Sequence, residues 1–259
     1  MYVRELQFAG ALLHWLITEN RAVWPAKHRM QFTTQPRQLH QALEGLAEPI
    51  DALREVGAMF WQRGWSVGTS SNYSIVLSRD PLELLVTASG KDKGRLKPGD
   101  FVRVESNGKP TADGQPKSSA ETLLHVVAAQ QPGVGAVLHT HSVWSTLLSD
   151  VFFGEGGLEL SGYEMLKGLE GIATHETSTW VDIFDNTQDI PSLAGQVRER
   201  MNDAVDPLQY GYLIRRHGLY TWGRDLEEAR RHVEIFEFLF ECVARRLVLT
   251  GELKTSGVV

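Results

Sequence analysis

The sequence predicts a single α/β domain in three layers, and three observations predict it. Segments with apolar residues at helical spacing are interspersed with short β-favouring runs. The runs are separated by hairpin-type turn signals, and no repeat, low-complexity segment or linker divides the chain. Its 259 residues, 42% hydrophobic and 22% charged, suffice for one large domain or two small ones with a substantial core.

Residues 1–45 differ from the rest of the chain. Positions 19–37 carry scattered Pro, Thr and Gln with no clean period, so 1–45 is expected to be an N-terminal extension, disordered or belonging to an upstream start, with Met30 as the alternative start. Over 43–63, Leu46, Ile50, Leu53, Val56 and Phe60 recur at helical spacing, and Gly64 ends the pattern. Strands are expected at 65–67, 73–77, 84–87 and 100–105, the last followed by the turn signal Asn107-Gly108. A helix is expected over 118–130, with Ser118 or Ser119 as its cap. A strand follows at 134–141 and a helix from Val143, and further strands at 212–216 and 219–222 flank His217-Gly218. The last helix is capped by Asp225, with Glu228 in capping-box position and Gly251 at its end; 251–259 is expected to be a tail.

A net charge of -6 offers no basic surface for nucleic acid. The single cysteine, Cys242, cannot form an intramolecular disulfide and reads as a buried small hydrophobe. No stretch approaches the roughly 20 apolar residues of a membrane-spanning helix. The apolar run 8–17 is short and has no convincing cleavage site after it, so the expected location is cytoplasmic.

The sharpest local signal is Ala136-Val137-Leu138-His139-Thr140-His141. Alternate residues of a strand face one way, so His139 and His141 present two imidazoles to one side, where they can chelate a transition metal. A lone H-x-H is as often a pair of surface or core histidines. His217 is the candidate third ligand, ending a strand before Gly218; taken alone, it reads slightly better as a histidine paired with a neighbouring backbone carbonyl.

Three runs of hydroxyl, amide and glycine donors could cradle phosphate: 68–74, 87–91 and 117–119. Any one alone is ordinary turn chemistry. Two acids draw interest. Glu121 lies in the first turn of the expected helix, where it also reads as a dipole-favoured surface acid. Glu164 lies in an apolar setting whose burial would raise its pKa and suit acid–base work, or it is a structural carboxylate paired with Lys167.

Together these segments resemble the class II aldolase/adducin family, in particular its methylthioribulose-1-phosphate dehydratase branch. The resemblance covers roughly 46–250 and rests on Thr69-Ser70-Ser71-Asn72-Tyr73-Ser74, Thr87-Ala88-Ser89-Gly90-Lys91, Lys117-Ser118-Ser119-Ala120-Glu121, His139-Thr140-His141, Gly162-Tyr163-Glu164-Met165-Leu166-Lys167 and Arg215-Arg216-His217-Gly218. The run Phe184-Asp185-Asn186-Thr187-Gln188-Asp189 is also similar to the bacterial dehydratases. The resemblance implies an α/β/α domain around a central, mainly antiparallel sheet and one zinc ion per subunit on His139, His141 and His217. It also implies a sugar-phosphate substrate held by Asn72, Ser89, Gly90, Ser118 and Ser119, and a homotetramer with sites near subunit borders. Sugar aldolases of the family often have glycine where this chain has Ser71.

The implied reaction removes the C3 proton of a 2-ketose phosphate and expels the C4 hydroxyl as water, a step in methionine salvage. Glu164 is the implied acid–base residue and Glu121 the reserve candidate. The competing readings are a sugar-phosphate aldolase or epimerase of the fuculose, rhamnulose or ribulose phosphate type, and a non-catalytic adducin-like interaction protein.

Overall fold

The computed structural model describes residues 39–251, so the expected extension up to residue 38 and the tail beyond Gly251 lie outside the described residues. In chain order the elements are α1 (Ala47–Gln62), β1 (Asn72–Arg79), β2 (Leu82–Thr87), β3 (Phe101–Glu105), α2 (Thr122–Ala129), β4 (Ala136–Thr140), α3 (Val143–Val151), β5 (Gly157–Ser161), β6 (Ser178–Phe184), α4 (Ile190–Met201), β7 (Gly211–Ile214), β8 (Gly218–Gly223) and α5 (Leu226–Thr250). The strands form one sheet in the order β3-β2-β1-β4-β8-β7-β6-β5. Neighbours pair antiparallel except β6 and β7, which are parallel, so the expected mainly antiparallel sheet is in fact mixed. The parallel pair is the one whose connection runs through a helix, α4, because parallel neighbours need a crossover rather than a hairpin.

Side-chain alternation sorts the helices into two layers. On β4, Ala136 and Leu138 pack with Ile50, Leu53 and Phe60 of α1 and with Ala229 and Val233 of α5. Val137 points the other way, onto Leu124 and Val127 of α2 and Leu193 and Val197 of α4. Leu148 of α3 joins Phe236 and Leu239 of α5 over Leu213 and Leu219. The result is α1, α3 and α5 on one face and α2 and α4 on the other. Leu43, within the stretch read as extension, is fully buried against this core.

Two elements depart from expectation, and in each the backbone finds another partner. Residues 65–67 are not a strand. The Trp65 carbonyl accepts a hydrogen bond from His141 N at 2.8 Å, so this segment supports the end of β4 from outside the ladder. The helix expected from Ser118 starts at Thr122 instead. Ser118 forms an isolated bridge with Ala88, and Ser119 Oγ accepts from Glu121 N at 3.3 Å. Cys242 is half-buried rather than buried. No helix among the described residues is long and apolar enough to cross a membrane.

The final helix follows its sequence signals. Asp225 Oδ1 accepts from Glu228 N at 2.8 Å, Glu228 Oε2 accepts from Arg224 N at 2.7 Å, and Gly251 closes the helix at φ +69°. Midway along it, Glu237 is buried beneath the end of β4, where Oε1 accepts from Thr140 Oγ1 at 3.2 Å and Oε2 has no partner among the described residues. Burial pushes its carboxyl up to about 7. The unfolded chain therefore releases this proton first. The penalty is absent below the unfolded value, grows as pH rises toward 7, and is constant above it. We expect Glu237→Gln to stabilise the protein at pH 8 by on the order of 3 kcal/mol relative to its effect at pH 4. Urea unfolding of both proteins at the two pH values measures this, and an equal difference at both would refute it.

Candidate metal centre

Three imidazoles meet at one end of the sheet. His139 is the fourth residue of β4 and fully buried. His141 follows the strand by one residue, and His217 is delivered by the tight turn between β7 and β8. One ring nitrogen from each lies within 4.8 Å of the others. The pairing of β4 with β8 sets this up, with Thr140 opposite Leu219 and His139 opposite Tyr220. Gly218 makes the approach possible, since a Cβ there would lie 1.9 Å from the Thr140 carbonyl oxygen.

The turn bearing His217 is held from α3. His217 N donates to Ile214 O at 3.1 Å, and Arg216 takes φ +53°, the left-handed region that favours glycine. Arg215 Nε and Arg216 Nε each lie 2.9 Å from Asp150 Oδ1, and both guanidiniums hold the Asp150 carboxyl below its usual range. Ser149 Oγ accepts from Arg216 N at 3.0 Å, and Thr146 Oγ1 donates to His217 O at 3.0 Å. Sequence reading missed Asp150, Ser149 and Thr146; only a polar spacing on α3 marks them.

The donor set suits a transition metal. His139 Nδ1–H donates to Leu219 O at 2.8 Å, which leaves the Nε2 lone pair free. His141 Nε2 lies 2.7 Å from His139 Nε2, and His217 Nδ1 is buried without a partner among the described residues. Burial, with the neighbouring imidazoles, pushes His139 well below the ordinary range, and burial pushes His141 down to about 3. Both rings are therefore neutral near pH 7, the form that ligates metals. Three convergent imidazoles next to a carboxylate fit a divalent metal with a position left for substrate.

Glu121 is that carboxylate. Oε1 lies 3.2 Å from His217 Nε2 and Oε2 lies 3.7 Å from His139 Nε2. Asn72 Nδ2 donates to Glu121 Oε2 at 2.8 Å and reaches Ser119 Oγ at 3.3 Å. Asn72, Ser89, Gly90 and Ser119 line one cavity together with Glu121, His141 and His217. Ser118 does not line it. Ser71 takes φ +68°, the left-handed region that favours glycine. A second cavity, sharing Ser89, Ser119, Glu121 and His217, extends to Asn186, Thr187 and Gln188.

Glu164 is elsewhere. Its side chain is exposed, pairs with Lys167 and lies 3.2 Å from His175 Nδ1. The expected raised pKa is not found: Lys167 holds the carboxyl below its usual range. The sheet register explains the separation. The end of β6 lies beside the end of β7 near His217, whereas Glu164 follows β5, whose end pairs with the start of β6. Seven-residue β6 thus puts roughly 20 Å between Glu164 and the histidines.

Residues 51–244 match the family described as Class II Aldolase and Adducin N-terminal domain, and the chain belongs to that family. Within it, the chain is 49% identical over 197 residues to a methylthioribulose-1-phosphate dehydratase of Marinobacter nauticus, covering 76% of this chain and 92% of that protein. A methylthioribulose-1-phosphate dehydratase of Xanthomonas campestris is 44% identical over 227 residues, covering 85% of this chain and 98% of its own. Among solved structures, an L-fuculose-1-phosphate aldolase from Thermus thermophilus superposes with TM-score 0.60 at 22% identity, over 78% of this chain and 96% of its own, a likeness of fold.

Replacing Gly218 by alanine should force β8 away from Thr140 and displace His217. Cobalt titration followed by visible absorption should show at least a roughly 10-fold weaker site. Wild-type affinity in Gly218→Ala would show that the close approach does not position the ligand.

Proposed function

We propose that this chain is a hydro-lyase that dehydrates 5-methylthioribulose 1-phosphate to 2,3-diketo-5-methylthiopentyl 1-phosphate in methionine salvage, using one zinc ion held by His139, His141 and His217. The observation that carries the reading is one cavity lined by His141, His217 and Glu121 together with the donors of Asn72, Ser89, Gly90 and Ser119, with His139 completing the imidazole group. The near-full-length identity to proteins of that activity supplies the substrate.

The loops at Ser89-Gly90 and Ser119 hold the phosphate with hydroxyl and backbone N–H donors, and Ser118 supports them by bridging to Ala88. A metal bound to the three histidines supplies a Lewis acid that makes the C3 proton of a 2-ketose removable near neutral pH. Glu121, beside the ligands, takes that proton. The C4–O bond then breaks, the leaving hydroxyl takes up a proton and departs as water, and the enol becomes the 2,3-diketone.

Glu164 is the proposed second acid–base group, and its placement sets a condition. At the far end of its own sheet it can serve only the cavity of another copy, so the homotetramer forms part of the proposal. An exposed apolar stripe on α3, Val143, Leu147 and Val151, begins two residues after His141 and supports association beside the site. We place the enzyme in the cytoplasm.

Metal-loaded protein should convert methylthioribulose 1-phosphate to the diketone, lose activity with a chelator and regain it with Zn2+. Absence of turnover, or cleavage of fuculose 1-phosphate instead, would overturn the assignment. Glu164→Gln should keep metal and lose roughly 100-fold or more in rate. Hybrids assembled from Glu164→Gln and His217→Ala chains should regain activity that neither variant has alone. If they do not, Glu164 does not act across subunits.

A further inference from the structure

One buried titratable group near the site has no part in the proposed chemistry. His125 is fully buried on α2, outside both cavities, with its ring edge-on to Tyr220 at 5.7 Å. Both of its ring nitrogens meet side chains of β1. Nε2 contacts Asn72 Oδ1, and Nδ1 lies 2.8 Å from Ser74 Oγ. Asn72 and Ser74 are alternate residues of one strand and so face the same helix.

We infer that His125 is a positioning residue that locks the Asn72 amide and, through it, the carboxylate of Glu121. The inference rests on Glu121 being the group that takes the C3 proton. The Asn72 Nδ2 group faces Glu121 Oε2 and donates to it at 2.8 Å. That leaves Asn72 Oδ1, an acceptor, against His125. Nε2 must therefore carry the proton, and a neutral imidazole then has a lone pair on Nδ1, which accepts from Ser74 Oγ–H. Burial pushes the ring down to about 3 and keeps it neutral. Every donor in the chain Ser74, His125, Asn72, Glu121 thus points the same way. The reversed chain, with Ser74 Oγ donating to Val137 O 3.5 Å away, would press the Asn72 carbonyl against the carboxylate.

The tautomer is testable without turnover. Long-range 1H–15N correlation spectra of the zinc-loaded, 15N-histidine-labelled protein, with His125 assigned by comparison with His125→Gln, should show a neutral Nε2–H ring. An Nδ1–H ring or an imidazolium would overturn the inference even in an active enzyme. In kinetics, His125→Leu should lower kcat roughly 10- to 100-fold while KM and the Co2+ dissociation constant stay within about threefold. His125→Gln, which retains an N–H at that reach, should recover most of the loss. Unchanged kcat in the leucine variant would refute positioning. Equal losses in both variants, with Co2+ affinity falling in step, would show a role in folding alone. If the leucine variant does not fold, the tautomer and the glutamine variant decide. Inactive wild-type protein with an Nε2–H ring would count against the substrate assignment and leave the hydrogen-bond chain intact.

Discussion

The site depends on one contact, the approach of β8 to β4 where Gly218 meets Thr140. His139 and His141 come from one strand, but His217 is 76 residues further on and reaches them only because β8 lies antiparallel to β4 with Leu219 opposite Thr140. A side chain at 218 would hold the strands apart at the metal end, since its Cβ would sit 1.9 Å from a backbone oxygen. Everything placed by the register inherits this contact. Tyr220 stacks on His139 at 4.0 Å, and Tyr212 stacks on Tyr220 at 5.1 Å, so three adjacent strands present a row of near-parallel rings that ends on His139.

Burial then decides the chemistry of what the register brings together. The face that α2 and α4 cover is apolar at its far end, through Val137 and Trp222, and polar at the metal end, through Asn72, Ser74, His125 and His139. Polar groups out of water are costly unless paired, and here each is paired in a definite direction. The exceptions cluster at the site. Tyr212 Oη, Tyr220 Oη and His217 Nδ1 are buried without partners among the described residues, and burial together with the Glu121 charge raises both tyrosines well above their usual range. Both tyrosine hydroxyls are therefore neutral near pH 7.

Much of this could be read from the chain because the chemistry lies in short contiguous runs. Alternation along 136–141 puts two imidazoles on one face, and Arg215-Arg216-His217-Gly218 marks a tight turn next to a glycine that must lack a side chain. The ends of α5 were legible from Asp225, Glu228 and Gly251, since capping is local. What escaped was whatever depended on partners distant in sequence. β5, β6 and α4 carry no sharp local signal, and the parallel pairing of β6 with β7 follows only once α4 is seen to cross between them. The apolar residues around Glu164 suggested burial, yet Leu166 alone of its turn is fully buried and the carboxylate faces outward. Nothing local marks His125, whose partner Asn72 lies 53 residues away.

Backbone strain follows the same map. Among the described residues, the non-glycine positions with positive φ are Ser71 and Arg216. Each immediately precedes a residue that lines the cavity, Asn72 and His217. A left-handed conformation at such residues costs roughly 1–3 kcal/mol and persists only where its surroundings over-determine it. For Arg216 the surroundings are Asp150 and Ser149; for Ser71 they are Trp65 O, 3.4 Å from its hydroxyl, and the start of β1. Trp65 O is also the acceptor for His141 N. The segment that departs from strand geometry at 65–67 therefore braces both the loop before Asn72 and the strand end that carries His141. The two strained turns and this brace are thus held by the chain's own hydrogen bonds and ion pairs.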